Sequence, residues 1–155
     1  MAFSLPGTTV IAAVDFSDHG EQILREGLLL AQAAGGSMHL VHVAAGEPIL
    51  AGYDKEDISS FTRSARAGEL TDEHHRVREL AQTLTATTEV DVHPLVVMGP
   101  AAETLLTAID ELNATHIVLG THGHGGMHHL MFGSVAQELV RRSNVPVLLV
   151  PVVKR

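Results

Sequence analysis

Short apolar runs alternate along the whole chain with longer stretches of helical spacing, and few folds accommodate such a pattern. Thr8 to Val14 is a continuous run of small and β-branched residues, as expected of a strand covered on both faces. Met38 to Val43, Val90 to Met98, Thr115 to Leu119 and Pro146 to Val150 repeat the pattern. After the first run, Asp18 with Glu21 fits a capping box, and Ile23, Leu24, Leu28 and Ala31 then share one helical face. Gly35-Gly36 is placed to stop that helix. Further helices are expected near Glu69–Thr85, Pro100–Asn113 and Gly133–Ser143, with Pro100 where a first helical turn tolerates it. Strands separated by helices require crossover connections. The expected fold is therefore α/β, an open five-stranded parallel sheet with helices on both faces.

At 155 residues and 45% hydrophobic, the chain has enough apolar material for one domain spanning 1–155 with its own core. It contains no Cys, which excludes disulfide scaffolds, cysteine-ligated zinc, iron–sulfur clusters and cysteine nucleophiles. A net charge of −8 repels a polyanion and argues against nucleic acid as a partner. The first basic residue is Arg25, so the opening stretch lacks the charged region of a secretory signal. The longest apolar run, Val145 to Val153, is about half a membrane span and carries Pro146 and Pro151. These features lead us to expect a cytoplasmic protein without membrane insertion. Gly46 to Ala67 has weak periodicity and follows a strand's C-terminal end, so it reads as a surface loop whose relation to any ligand stays open.

The most informative stretch runs from Gly120 to Val135. It begins as the fourth strand ends and finishes as a helix starts, with glycines at 120, 123, 125, 126 and 133 and a hydroxyl at Ser134. Glycine lets an anion approach bare N–H groups, and a helix N-terminus presents unpaired amides and the positive end of its dipole. This chemistry suits phosphate. A P-loop is excluded because the only lysines are Lys55 and Lys154. A dinucleotide fingerprint belongs after the first strand, where this chain has Asp15 rather than glycines.

Gly120-x2-Gly123-x9-Gly133-Ser134 resembles the glycine signature of the ATP-binding branch of the universal stress protein family. The likeness extends to Val14-Asp15-Phe16-Ser17, Leu40-Val41-His42-Val43, Val97-Met98-Gly99-Pro100 and Ser143 to Val150, covering roughly residues 7–153 in family order. It implies a Rossmann-like sheet, of the adenine nucleotide alpha hydrolase type, with nucleotide across the ends of the first and fourth strands. Carried over by position, Asp15 would bond the ribose or adenine side, Val43 would offer its main chain to the adenine edge, and Leu119 would add apolar contact. Gly120, Gly123, Gly133, Ser134 and Val135 would line the phosphates. The implied ligand is ATP, with AMP as the alternative and Mg²⁺ carried on the phosphates. The resemblance also implies a homodimer through the C-terminal strand, Val147 to Val153, with tetramers left open, although Pro151 interrupts that edge.

His116, His122, His124, His128 and His129 cluster in the same stretch and would surround the phosphates, with His122 or His124 able to add charge when protonated. His122-x-His124 lacks a nearby carboxylate, so no metal site is assigned. His74-His75 reads as helix surface. Nothing in the glycine segment would orient a nucleophile, so no catalytic residue is assigned. The expectation is an ATP-binding stress-response regulator whose nucleotide modulates dimer or partner contacts. A slow ATPase or phosphotransferase, or a nucleotide-free dimeric interaction protein, is the alternative.

Overall fold

In a computed structural model, which describes residues 7–17, 19–45, 60–121 and 132–152, the central strand is β1 (Thr9–Val14). Val10, Ile11 and Ala12 are completely buried, as a strand packed on both faces requires. Around it lie β2 (Ser37–Ala45), β3 (Val92–Gly99), β4 (His116–Gly120) and β5 (Val147–Val150), all parallel, in the order β3-β2-β1-β4-β5. The crossover elements are α1 (Gly20–Ala33), α2 (Ser60–Thr87), α3 (Ala101–Glu111) and α4 (Ser134–Arg142).

Strand alternation divides the core into two layers. Val10, Ala12, Val14, Met38 and Leu40 pack with Ile23, Leu24 and Ala31 of α1 and with Val77 and Ala81 of α2. Ile11, Val41, Ile117 and Leu119 point the other way, against Leu105, Ala108 and Ile109 of α3 and Ala136 and Leu139 of α4. The edge strands are less covered. Pro94 lies on β3, at one end of the sheet, where its missing N–H breaks no interior ladder. Among the described residues no helix is long and apolar enough to cross a membrane.

Several boundaries differ from the sequence expectation. Before α1 the N-cap is His19, in helical rather than extended conformation, and no side chain caps the helix. The amides of Gly20 and Gln22 instead donate to the carbonyls of Ser17 and His19, three residues back, so a tight backbone turn does the work assigned to the capping box. Asp18 lies outside the described residues. At the other end the expectation holds. Gly35 takes φ +61°, Gly36 N–H donates to Ala31 and Gly35 N–H to Gln32, which together form a Schellman motif. Helix α2 begins at Ser60, so the second half of the expected 46–67 loop that falls within it is helical, and 46–59 lies outside the described residues. Pro100 is the N-cap of α3 rather than its first turn, and β5 is four residues long.

Gly27 accounts for the close seating of α1. A Cβ there would come 2.9 Å from Met38 Sδ and 3.2 Å from Ala12 Cβ. A Gly27→Val variant should therefore force α1 off the sheet and lose about 1–3 kcal/mol, measured by urea unfolding.

Away from the strand ends that carry the candidate site, the β2–β3 register pairs His39 with His93, ring centroids 5.1 Å apart, and His93 Nε2 lies 3.3 Å from Asp91 Oδ2. Burial first, then the neighbouring His93, holds His39 below the usual imidazole value of 6.5, with Asp91 opposing. The unfolded chain then binds this proton more readily than the folded one. Stability should fall as pH drops from about 6.5 toward the folded value and recover above it. In His39→Gln, urea midpoints across that window should show a shallower slope.

Candidate functional site

Strand order reverses between β1 and β4, and the segments leaving them feed helices on opposite faces of the sheet. Open α/β sheets place their ligand crevice at such a point. On the β1 side, Asp15 is half-buried and its Oδ1 accepts the Ser17 N–H at 3.0 Å, an Asx turn. Between them Phe16 takes φ +57°, a left-handed conformation costing an L side chain about 1 kcal/mol. Its ring is held by contacts that offset this: the His42 ring lies 4.5 Å away, and the Arg76 guanidinium sits 4.2 Å over its face.

On the β4 side, Gly120 ends the strand and Thr121 is buried. Thr121 ties the local backbone together. Its N–H donates to Val150, its carbonyl accepts the Gly133 N–H at 2.7 Å, and its Oγ1 accepts the Val152 N–H at 3.1 Å. The two ends of segment 122–131 are thereby joined across one hydrogen bond. Strand β5 ends at Val150, Val152 keeps its contact with Thr121, and Val153, the end of the expected edge, lies outside the described residues.

Helix α4 starts with Gly133 as N-cap, in extended conformation and without a capping side chain of its own, and has no acid in its first turn. The first intrahelical bond runs from Gln137 N–H to the Gly133 carbonyl, so the amides of Ser134, Val135 and Ala136 precede the ladder. Arg141 and Arg142 occupy the last turn, where cations complement the dipole. Arg142 also reaches Glu103 of α3 and Glu138, each at 3.4 Å.

The structure therefore sets Asp15 on one lip of the crevice and Gly120, Gly133, Ser134 and Val135 on the other. Ser134 is exposed at the first helical position. Gly133 cannot offer its own amide as expected, because Thr121 takes it. The Leu119 side chain lies within the α3–α4 layer, and those of Val43 and Val135 pack against that layer. His122 and Gly123, with His124, His128 and His129, lie outside the described residues. His116 is displaced from the expected cluster. It opens β4, about 13 Å along the strand from Gly120, and its Nδ1 bonds Thr115 Oγ1 at 3.0 Å. His74 and His75 are exposed on α2, as expected. An open groove of about 610 Å³ between α2 and β3, lined by Arg78, Gln82, Thr85, Asp91 and Pro94, lies beside an edge strand and not at the reversal.

The sequence reading passed over Thr121 and His42 as site residues. Thr121 carried the one available signal, a polar side chain directly after the fourth strand.

The universal stress protein family model matches residues 8–151. The chain belongs to that family. A universal stress protein of Thermus aquaticus, encoded in the QAH/OAS sulfhydrylase 3′ region, is 32% identical over 92% of this chain and 97% of its own. The universal stress protein UspA from Lactobacillus plantarum superposes with a TM-score of 0.81 at 19% identity, covering 95% and 99% of the two chains. Two other universal stress proteins of the same fold were solved with nucleotides. One holds cAMP (TM-score 0.65, 21% identity, 94% and 97% covered), and one from Archaeoglobus fulgidus holds dAMP (0.56, 20%, 94% and 98%).

If Thr121 is the tie between β4, β5 and α4, then Thr121→Val, which keeps shape and removes one acceptor, should lose about 1–3 kcal/mol by leaving the Val152 N–H unpaired. Amide exchange at Val152 should accelerate, while that of Ile11 in the central strand should change only by the global loss.

Proposed function

We propose that this universal stress protein binds ATP at the β1–β4 crevice and acts as a stress-response regulator rather than as a catalyst. The observation that carries this reading is the N-terminus of α4. A glycine cap brings no side chain of its own to the amides of Ser134, Val135 and Ala136, which precede the helical ladder beside the strand-order reversal, and that turn holds no acid. Family membership and the nucleotides held by two structural neighbours support it.

In this reading the phosphates lie against Gly120, Gly123, Gly133, Ser134 and Val135. The contribution of Gly133 is close main-chain approach, since its amide is already engaged. Asp15 accepts from the ribose or adenine side, Val43 offers main chain to the base, and Leu119 supplies apolar floor. Mg²⁺ would travel on the phosphates, with His122 adding charge when protonated. Binding would alter the surface shown to a partner protein or to a second copy. The end strand β5, whose Leu148 is 41% exposed and which pairs with β4 alone, is the edge where a second copy would add.

Native mass spectrometry of protein purified without added nucleotide, followed by calorimetry with MgATP and with AMP, tests the assignment. Co-purified adenine nucleotide is expected, and ATP should bind more tightly than AMP because the α4 amides meet more phosphate charge. Ser134→Ala should weaken ATP about fivefold and Asp15→Ala about tenfold, with unchanged circular dichroism. Folded protein that carries no nucleotide and binds none at about 100 μM would overturn the reading.

A further inference from the structure

The turn that carries Asp15 is attached to α2 through a buried pair of atoms that lack hydrogen bonds. His42, on β2, is 7% exposed, and its Nδ1 lies 2.9 Å from the Val14 carbonyl, the residue just before Asp15. A carbonyl only accepts, so Nδ1 carries the proton and the second nitrogen, Nε2, is the acceptor of the neutral ring. Nε2 faces Glu73 Oε2 of α2 at 3.6 Å, and both atoms are buried without a hydrogen-bond partner. With neutral imidazole this is a lone pair set against a carboxylate. With a proton on Nε2 it becomes an ion pair in a shielded position, where charge-assisted contacts are strongest.

The ring of His42 also stacks on Phe16, the left-handed residue inside the Asp15 turn, and Arg76 covers that ring. Glu73 and Arg76 lie three apart on α2 and share a face, so one helix holds both ends of the stack. The groups set around His42 are Val14 and Phe16 from β1 and its turn, Val96 as its register partner on β3, and Glu73 and Arg76 from α2. Among these the ionisable ones are Glu73 and Arg76, with Asp15 and His19 close by in the chain.

We propose that His42 is a positioning residue for the Asp15 turn, and that a proton held between His42 and Glu73 latches this turn to α2. The proposal rests on the nucleotide-binding reading above, and adds to it a means by which acidity regulates that site. The sign follows from the contact. The latch is closed when Nε2 is protonated. It opens when that proton is lost, because acceptor then faces acceptor and Phe16 loses part of what holds its left-handed backbone. Nucleotide affinity should fall with it.

The test uses the full chain, uniformly ¹⁵N-labelled and without nucleotide, titrated from about pH 5 to about pH 8.5. The Asp15 and Ser17 amides should move in step with the His42 imidazole resonances. In Glu73→Gln the new carboxamide can donate to neutral Nε2, so the contact no longer needs the proton and the coupled step should shrink by at least about half. In His42→Gln it should vanish, while the Thr9 and Ile117 amides report an intact sheet. Between about pH 6 and about pH 8, MgATP affinity should fall about 2.5-fold further in the natural protein than in Glu73→Gln, any contribution of His122 being common to both. Turn amides that stay flat while His42 titrates, or an undiminished step in Glu73→Gln, would overturn the latch. Failure of ATP to bind at every pH would count against the binding reading alone, and the amide titration would still decide whether the turn answers to this proton.

Discussion

Parallel strands cannot be joined by tight turns, and each crossover packs back onto the sheet with one hand. Here the first two crossovers step from β1 to β2 to β3 and place α1 and α2 on one face. The third passes back across β1 to β4, and the fourth continues outward to β5, so α3 and α4 cover the other face. The segments leaving β1 and β4 therefore diverge, and among the described residues no helix fills the space between them at the sheet's C-terminal edge. The complete burial of Val10, Ile11, Ala12, Ile117 and Val118 follows from the same arrangement, since the strands beside the reversal are the ones covered twice. The crevice and the core thus have one cause.

That shared cause explains what could be read from sequence. Twice-covered strands are continuous apolar runs, so β1, β2 and β4 were visible within one to three residues of their ends, and the number and direction of strands followed. Residues 60–68 of α2 were missed because Phe61 is the only large apolar residue from Ser60 to Glu69, and a helix without an apolar stripe reads as a loop. The start of α1 differs for another reason: the amides of Gly20 and Gln22 meet carbonyls three residues back in a tight turn, a contact with no side-chain signature.

The geometry around the candidate site was not legible from the sequence. His116 belongs to the histidine-rich stretch in sequence, yet a five-residue strand carries it to the other edge of the sheet. The Gly133 amide looked available because its partner, the Thr121 carbonyl, lies beyond an intervening loop. His42 passed for one residue of a strand motif because Glu73, Arg76 and Phe16 come to it from other elements. Each omission is a tertiary contact with no trace in local spacing.

The chain's charge sets a further condition on a phosphate site. The protein carries −8 overall, yet from Leu112 to Gln137 there is no Asp, Glu, Lys or Arg. Attraction there would come from main-chain dipoles, whose reach is confined to the first turn of a helix, and not from fixed cations acting at a distance. A short-range field gives little steering and depends on how closely the crevice fits its occupant. Affinity at such a site is then governed by the parts that set its width: the Thr121 tie on the β4 side, and the Asp15 turn, with Phe16 held against its backbone preference, on the β1 side. Both are maintained by a few contacts of about 1 kcal/mol each, comparable to the free energy of adding or removing one proton over a single pH unit. A charge-poor phosphate seat in an acidic protein is for that reason open to adjustment by small changes beside it, as a seat built on a lysine or arginine would not be.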